Sequence, residues 1–347
     1  MFGCLVNPVL TRTEVEGFKF PLGVYPVEKM TPRAGYTLNF EPADGDETDG
    51  EWEEWPDRYI FDIVLSWERV EAMCRQLFAM LPGRVFPIID ILGHDAYREI
   101  DPYMAYELVP LDSFTDGVHR FRDLFFEDGM CGFGAMTEEP FLYIFIDEHK
   151  IITIRAEPSL KERLEKLLKA FDLEQMEEPA GADASSHEHR TVLLMPADKP
   201  DLLGPEEIVE RLRDQWNLVL NVDPDTNVDE EGKPLGTTPW RCVVRVERGD
   251  ARRKTREQYA EVLLYADCLK VAEEASMTAV ENLVGSKKPA IEDALIVAAD
   301  RLMPEQMSQL MGEVKKARGK GGGTGGSTSS GRGEMVSGTV KSCKWLE

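Results

Sequence analysis

The sequence lacks paired cysteines and long apolar runs, and each absence excludes a class of protein. Its six cysteines are scattered and form no Cys-x-x-Cys pair, which argues against a structural zinc finger or ribbon. Scattered cysteines in a chain of this size are typical of reduced thiols. No stretch approaches the ~18 apolar residues of a membrane span. We therefore expect a soluble, cytoplasmic protein that has no membrane partner.

Positive charge is also scarce. The 347 residues include 64 acidic and 40 basic side chains, which gives a net charge of −24. Binding to nucleic acid is driven by Lys and Arg on phosphates, so this balance argues against nucleic acid as a partner. The charge is uneven, because seven Lys/Arg oppose two Glu from Val314 onwards. This end of the chain carries +5 and the remaining residues carry −29.

Several catalytic signatures are missing as well. There is no phosphate-binding Gly-Lys-Ser/Thr loop, no His-Glu-x-x-His pair and no Gly-x-Ser-x-Gly elbow. The segment Gly132-Phe133-Gly134 is not a dinucleotide fingerprint, since Thr137 stands where the third glycine belongs. With Gly129, these glycines indicate a flexible crossing into the next hairpin. The sequence thus predicts no cofactor and favours a non-enzymatic role, although missing motifs do not exclude an enzyme.

What the sequence does contain is enough apolar material, 42% of residues, for packed cores in two domains. We predict an α+β fold of two mixed domains with a helical C-terminal extension and a disordered Gly/Ser-rich tail. The first α+β domain covers 1–173, and a linker without apolar periodicity covers 174–190. The second α+β domain covers 191–312 and is helical in its C-terminal half. A flexible tail with a terminal peptide covers 313–347.

Several local patterns predict individual elements. Apolar residues at helical spacing follow Ser66, and a hairpin is predicted over 141–146 and 151–154. Ser159 and Glu162 match a capping box at the start of another helix. The helical period also indicates helices at 259–266 and 291–302.

One candidate catalytic group follows a predicted strand. Asp90, His94 and Asp95 lie in the segment Ile89-Asp90-Ile91-Leu92-Gly93-His94-Asp95. Carboxylates and an imidazole beyond a strand end are what an acid–base pair or a metal-assisted enzyme would use. Because Asp and His are ordinary loop residues, the spacing leaves a purely structural loop as the alternative.

Two segments resemble metal ligands in part. Asp223, Asp225, Asn227 and Asp229 place oxygens on alternate residues, as in the first half of a calcium loop. Val228 and Pro234 break that pattern, so a polar connection is favoured and no metal is predicted. His187 and His189 could bind a transition metal, but with no third ligand nearby we interpret them as solvated linker histidines.

Two further segments carry aromatic residues that we expect at the surface. The acidic loop 41–57 contains Trp52 and Trp55, which either fold back onto the domain or dock a partner. The tail ends in Trp345 and Leu346 beyond a Gly/Ser/Thr tract at 319–333, as in a tethered peptide ligand. We therefore predict a cytoplasmic adaptor, regulatory or assembly protein that binds another protein or a second copy of itself. The alternative is an enzyme of unknown reaction with the carboxylate/His site.

Overall fold

The computed structural model describes residues 3–43, 55–195, 198–199, 201–249, 256–285, 291–320 and 336–346. The fold is mixed α+β with several sheets, as the sequence predicts. The chain divides into two compact units. The first contains Met1–Leu92 and Asp101–Asn221, and the second contains Gly93–Ile100 and Val222–Glu347. Within the described part of the chain, no helix is both long and apolar enough to cross a membrane.

Both units contain helices and strands. The helices are α1 (Trp67–Phe78), α2 (Leu111–Arg120), α3 (Arg122–Glu127), α4 (Lys161–Ala170), α5 (Pro205–Trp216), α6 (Leu269–Val284) and α7 (Pro304–Lys320). The strands are β1 (Glu14–Val15), β2 (Phe18–Lys19), β3 (Val24–Pro26), β4 (Gly35–Glu41), β5 (Arg58–Val64), β6 (Arg84–Leu92), β7 (Ile100–Ala105), β8 (Val109–Pro110), β9 (Cys131–Thr137), β10 (Leu142–Ile146), β11 (Ile152–Ala156), β12 (His187–His189), β13 (Leu218–Leu220), β14 (Thr238–Arg248), β15 (Arg256–Ala266), β16 (Ile291–Arg301) and β17 (Thr339–Trp345).

The first unit is built on one large sheet. Its strands run in the order β13-β7-β6-β9-β10-β11-β5-β4, and β8 pairs with β6 at the side. Two small sheets, β1-β2 and β12-β3, lie outside it. Helix α1 forms where the sequence predicts it, and its stripe of Val70, Met73, Cys74 and Leu77 is buried in the main core. Each fully buried side chain of this kind contributes about 1.5–3 kcal/mol of hydrophobic stabilisation.

The centre of this sheet confirms the predicted hairpin and corrects its neighbour. Strands β10 and β11 pair antiparallel, with Ile146 opposite Ile152. Residues 131–137, expected as part of a glycine-rich crossing, instead form the fully buried strand β9. A Cβ on Gly134 would lie 2.2 Å from the carbonyl oxygen of Ile144, so glycine is needed for the close approach of β10.

The predicted capping box at Ser159 does not form. Residues Pro158–Leu160 make a single 3₁₀ turn, and α4 begins only at Lys161. The Ser159 hydroxyl donates to the Glu157 carboxylate instead of capping the helix. The helix itself is present, with Leu164 and Leu168 buried. The apolar stripe therefore decides this helix, because packing stabilises it more than local capping.

The second unit has a four-stranded antiparallel sheet in the order β16-β14-β15-β17. The helices predicted over 259–266 and 291–302 are wrong, since these residues belong to β15 and β16. Val262, Leu263 and Leu264 are all fully buried, so both faces of β15 are apolar. A strand buried on both faces loses its two-residue alternation, and its pattern then resembles that of a buried helix.

The predicted flexible tail is also partly structured. Residues 313–320 continue α7, which begins at Pro304, and residues 339–345 form β17 at the edge of the second sheet. Residues 321–335, which hold most of the Gly/Ser/Thr tract, lie outside the described residues. The terminal peptide is thus an edge strand of the second unit's own sheet.

Candidate metal centre

Strand β12 places two histidines on one face. Successive side chains in a strand point to opposite faces, so His187 and His189 lie together and Glu188 points away. Antiparallel pairing with β3 fixes this orientation, with Glu188 opposite Tyr25. The Tyr25 hydroxyl donates to the Glu188 carboxylate over 2.6 Å, which holds the strand in register.

A third histidine comes from the turn between β10 and β11. The turn is closed by Asp147, whose carboxylate accepts the backbone N–H of Ile151 over 2.8 Å. Lys150 has a left-handed backbone with φ of 66°, and its ammonium donates to the carbonyl of Cys131 over 2.6 Å. This buried anchor fixes the turn, and His149 beside it projects towards β12.

The three imidazole rings form a nearly regular triangle. The distances between ring centroids are 4.7 Å for His149–His187, 4.9 Å for His149–His189 and 4.9 Å for His187–His189. One ring nitrogen from each histidine lies within 4.8 Å of the other two. Three imidazole nitrogens at 2.0–2.1 Å from a tetrahedral zinc ion would be about 3.3 Å apart. The triangle therefore has the size of a three-histidine metal site.

Each histidine in this triangle, the His triad, uses its Nδ1 atom on an oxygen acceptor. His189 Nδ1 lies 2.7 Å from the carbonyl of Gly129, and His187 Nδ1 lies 2.8 Å from the carbonyl of Ser185. His149 Nδ1 lies 3.3 Å from both the Asp147 and the Glu148 carboxylates. These oxygens accept only, so they hold the proton on Nδ1 and leave Nε2 as a lone-pair donor.

The Nε2 atoms of His149 and His187 are only 2.9 Å apart. With both Nδ1 atoms protonated, this contact brings two lone pairs together, which is repulsive unless a cation lies between them. A proton or a metal ion can supply that positive charge. Tied Nδ1 atoms and converging Nε2 atoms are the arrangement that orients histidine ligands around a metal.

Burial and the neighbouring groups favour opposite protonation states at two of the rings. Burial lowers the pKa of His149, but the nearby carboxylates of Asp147, Glu148 and Asp183 outweigh it and raise the pKa above its ordinary value. Burial lowers the pKa of His189, and the adjacent imidazoles lower it further. His189 is therefore held in the neutral form that a metal ligand requires.

A small cavity lies beside His149. It has a volume of about 10 Å³, and apolar side chains such as Phe20, Val64 and Ile151 form much of its lining. This volume accommodates about one water molecule and no organic substrate.

The sequence points to two of these histidines, but the lack of a third ligand nearby in the chain favours a solvated linker over a metal site. His149 lies 38 residues before His187, in a turn that was interpreted only as a hairpin connection. The pattern His-x-His within an extended segment does predict part of the site, because alternate residues of a strand place their two rings on one face. The third ligand depends on how the sheets fold together, which no spacing in the sequence reveals.

The proposed catalytic group Asp90, His94 and Asp95 is divided between the two units. Asp90 lies in β6, where burial, with a smaller contribution from Glu148, raises its pKa to about 6. His94 is exposed in the second unit. Asp95 is buried there and accepts hydrogen bonds from Arg301, at 2.7 Å from its backbone N–H and 2.9 Å from its Nε. Its carboxylate is thus engaged in holding two segments of the second unit together.

The oxygens of the calcium-like segment are also engaged locally. Asn227 is buried, donates to the carbonyl of Gly236 over 2.6 Å and accepts from Arg301. Asp225 pairs with Lys270, and Asp229 closes a turn by accepting the backbone N–H of Lys233. Asp223 accepts the backbone N–H of Asp225. Among the described residues, the three aspartates of this segment belong to no group of three His, Cys, Asp or Glu ligand atoms within 4.8 Å of one another.

The predicted partner-binding aromatics have different surroundings. Trp52 lies outside the described residues. Trp55 packs on the first unit, with its ring centroid 5.4 Å from that of Phe141. Trp345 lies in β17, and the backbone N–H of Leu346 donates to the carbonyl of Tyr259 over 2.8 Å.

Comparison of the chain with protein-family models, with curated proteins and with solved structures gives no match.

Proposed function

We propose that this protein binds a divalent transition-metal ion through the Nε2 atoms of the His triad. The main support is that all three Nδ1 atoms lie beside oxygen acceptors, that the Nε2 atoms of His149 and His187 are 2.9 Å apart, and that one ring nitrogen of each histidine lies within 4.8 Å of the others. Imidazole ligands suit zinc, copper, nickel and iron, and three histidines with an open fourth position are a common zinc ligand set.

The bound ion acts as a clip within the first unit. It joins the β10–β11 turn to β12 through His149 and His187, which lie 38 positions apart in the chain. A cross-link that closes a loop of this length removes conformations from the unfolded chain and so stabilises the folded one. The carboxylates of Asp147 and Glu148 polarise His149 and partly neutralise the charge of the ion.

The test is zinc titration by calorimetry on the metal-free full-length protein, with bound metal measured by mass spectrometry. We expect one ion per chain. His149→Ala, His187→Ala and His189→Ala should each weaken binding by at least about tenfold, and Asp147→Asn by roughly tenfold through His149. The chain supplies matched controls, because His94 and His119 are exposed and lie outside the triad.

His94→Ala and His119→Ala should bind zinc like the unchanged protein. Equal binding by all five histidine variants, or no zinc binding at all, would contradict the proposal. Cobalt(II) provides a second measurement, since tetrahedral coordination by the triad would give visible absorption bands that His187→Ala abolishes.

The protein-binding role and the alternative carboxylate/His enzyme remain predictions from the sequence. A role in binding a second protein chain draws its support from the second unit, in a different set of residues.

A further inference from the structure

Strand β17 completes one edge of the second sheet. It pairs antiparallel with β15, placing Trp345 opposite Ala260, Cys343 opposite Val262 and Thr339 opposite Tyr265. Val262, Leu263 and Leu264 of β15 are fully buried. Without β17, a long apolar strand would present unpaired backbone groups at an open edge, which readily pairs with another strand.

The contacts between β17 and this edge are specific as well as apolar. The Lys344 ammonium lies 3.0 Å from the carboxylate of Glu261, whose side chain is only 6% exposed. At the start of the strand, the Gly338 N–H donates to the Tyr265 carbonyl over 2.8 Å, and the Ser337 hydroxyl bonds the Asp267 carboxylate. These contacts select an extended, lysine-bearing segment in one register.

The covalent connection of β17 to the rest of the chain is long and rich in glycine. Fifteen residues, 321–335, separate the end of α7 from the described part of the tail, and seven of them are glycine. Fully extended, such a segment spans up to about 50 Å. The tail from Val314 carries +5 and the remaining residues −29, so a tail is attracted to the body of any copy.

We propose that the edge of β15 is a strand-binding site that takes β17 from a second copy of this chain as well as from its own. Each copy carries both the strand and its acceptor edge, so a reciprocal exchange reproduces every contact of β17. Recognition by an added strand combines backbone hydrogen bonds for affinity with side-chain contacts for register. The exchange joins two chains and does not involve the His triad.

The register provides a direct test with full-length protein. Cys343 lies opposite Val262, and paired residues of antiparallel strands are close enough for a disulfide. Chains carrying both Val262→Cys and Cys343→Ser are mixed with the unchanged protein and oxidised with glutathione disulfide. Only a strand bound in trans can then link the new cysteine to Cys343. We expect a covalent dimer whose yield rises with concentration.

Three controls make each outcome decisive. Mixing the acceptor chain with a Cys343→Ser donor should abolish the dimer, and excess synthetic peptide 334–347 should suppress it. The same peptide with Lys344→Ala should compete about two- to fivefold less well. In Val262→Cys alone, an internal disulfide should form at low concentration. An internal disulfide with no dimer at any concentration would overturn the exchange, and failure of both would overturn the register itself.

Discussion

At the scale of single residues, the groups around a side chain determine whether it can act as a metal ligand, and the residue type alone does not. The chain has five histidines, and the residues next to His94 and His149 in the sequence do not show which of the two could be a metal ligand. Their surroundings in the folded protein distinguish them. His94 is exposed, whereas His149 has two carboxylates near its Nδ1 atom and another imidazole near its Nε2 atom. A titratable side chain therefore becomes a ligand candidate only through groups that fix its tautomer and direction.

Asp90 gives a prediction at the same scale. Its pKa is raised to about 6 in the folded protein, against about 3.9 in an unfolded chain. Between those values the unfolded state loses its proton first, so stability falls as the pH rises and remains lost above pH 6. We expect Asp90→Asn to increase the free energy of unfolding by about 1–2 kcal/mol at pH 7.5 and to change it little at pH 4.

Urea denaturation at the two pH values measures this difference. Asp116→Asn removes an exposed carboxyl on α2 and serves as the matched control, with no comparable change at either pH. A destabilised Asp90→Asn variant at pH 7.5 would show that the ionised carboxylate is needed in β6.

At the scale of elements, apolar periodicity predicts structure where one face is buried and misleads where both are. The stripe of α1 has one buried face and is predicted correctly, whereas β15, with Val262, Leu263 and Leu264 all buried, is predicted as a helix. Glycines mislead in a similar way, because Gly134 was interpreted as a break and is needed for a close strand pair. In each case the neighbouring strand supplies the missing information.

The Asp95–Arg301 pair yields a prediction for how elements are joined. Asp95 fastens the segment 93–100 to the end of β16, and both side chains are nearly inaccessible to solvent. Removing one member of a buried ion pair leaves the other charge uncompensated. We expect Asp95→Ala to destabilise the second unit by about 3 kcal/mol, as measured by chemical denaturation.

His94→Ala is the control for this prediction, since it alters the exposed neighbour in the same segment. It should leave the denaturation midpoint unchanged. An Asp95→Ala protein of unchanged stability would mean that Arg301 is held well enough by Asn227 and the carbonyl of Val228.

At the scale of the whole molecule, the two proposed binding activities belong to different units. The His triad lies in the first unit, and the β17 strand and its acceptor edge lie in the second. Each unit has its own apolar core, the second around Leu263, Leu302 and Met307. Metal binding and strand exchange should therefore respond to different variants.

Hydrogen exchange with and without zinc tests that separation. A ligand that binds only the folded state stabilises the region it contacts. We expect zinc to slow amide exchange in residues 147–151 and 187–192 while peptides from β14 and β15 exchange at unchanged rates. Equal protection in both units, or protection that survives in His187→Ala, would contradict binding at the triad.

Local sequence patterns predict the mixed α+β class, the amphipathic helix α1, the β10–β11 hairpin and the uneven charge. These features depend on residues within a few positions of one another, where side-chain period and turn chemistry act directly. Folding of the chain brings His149 to His187 and His189, buries Asp95 and places Trp345 in a sheet, and none of these is predicted from the sequence. The reason is physical: each of these depends on contacts between residues far apart in the chain, which packing creates and local pattern does not encode.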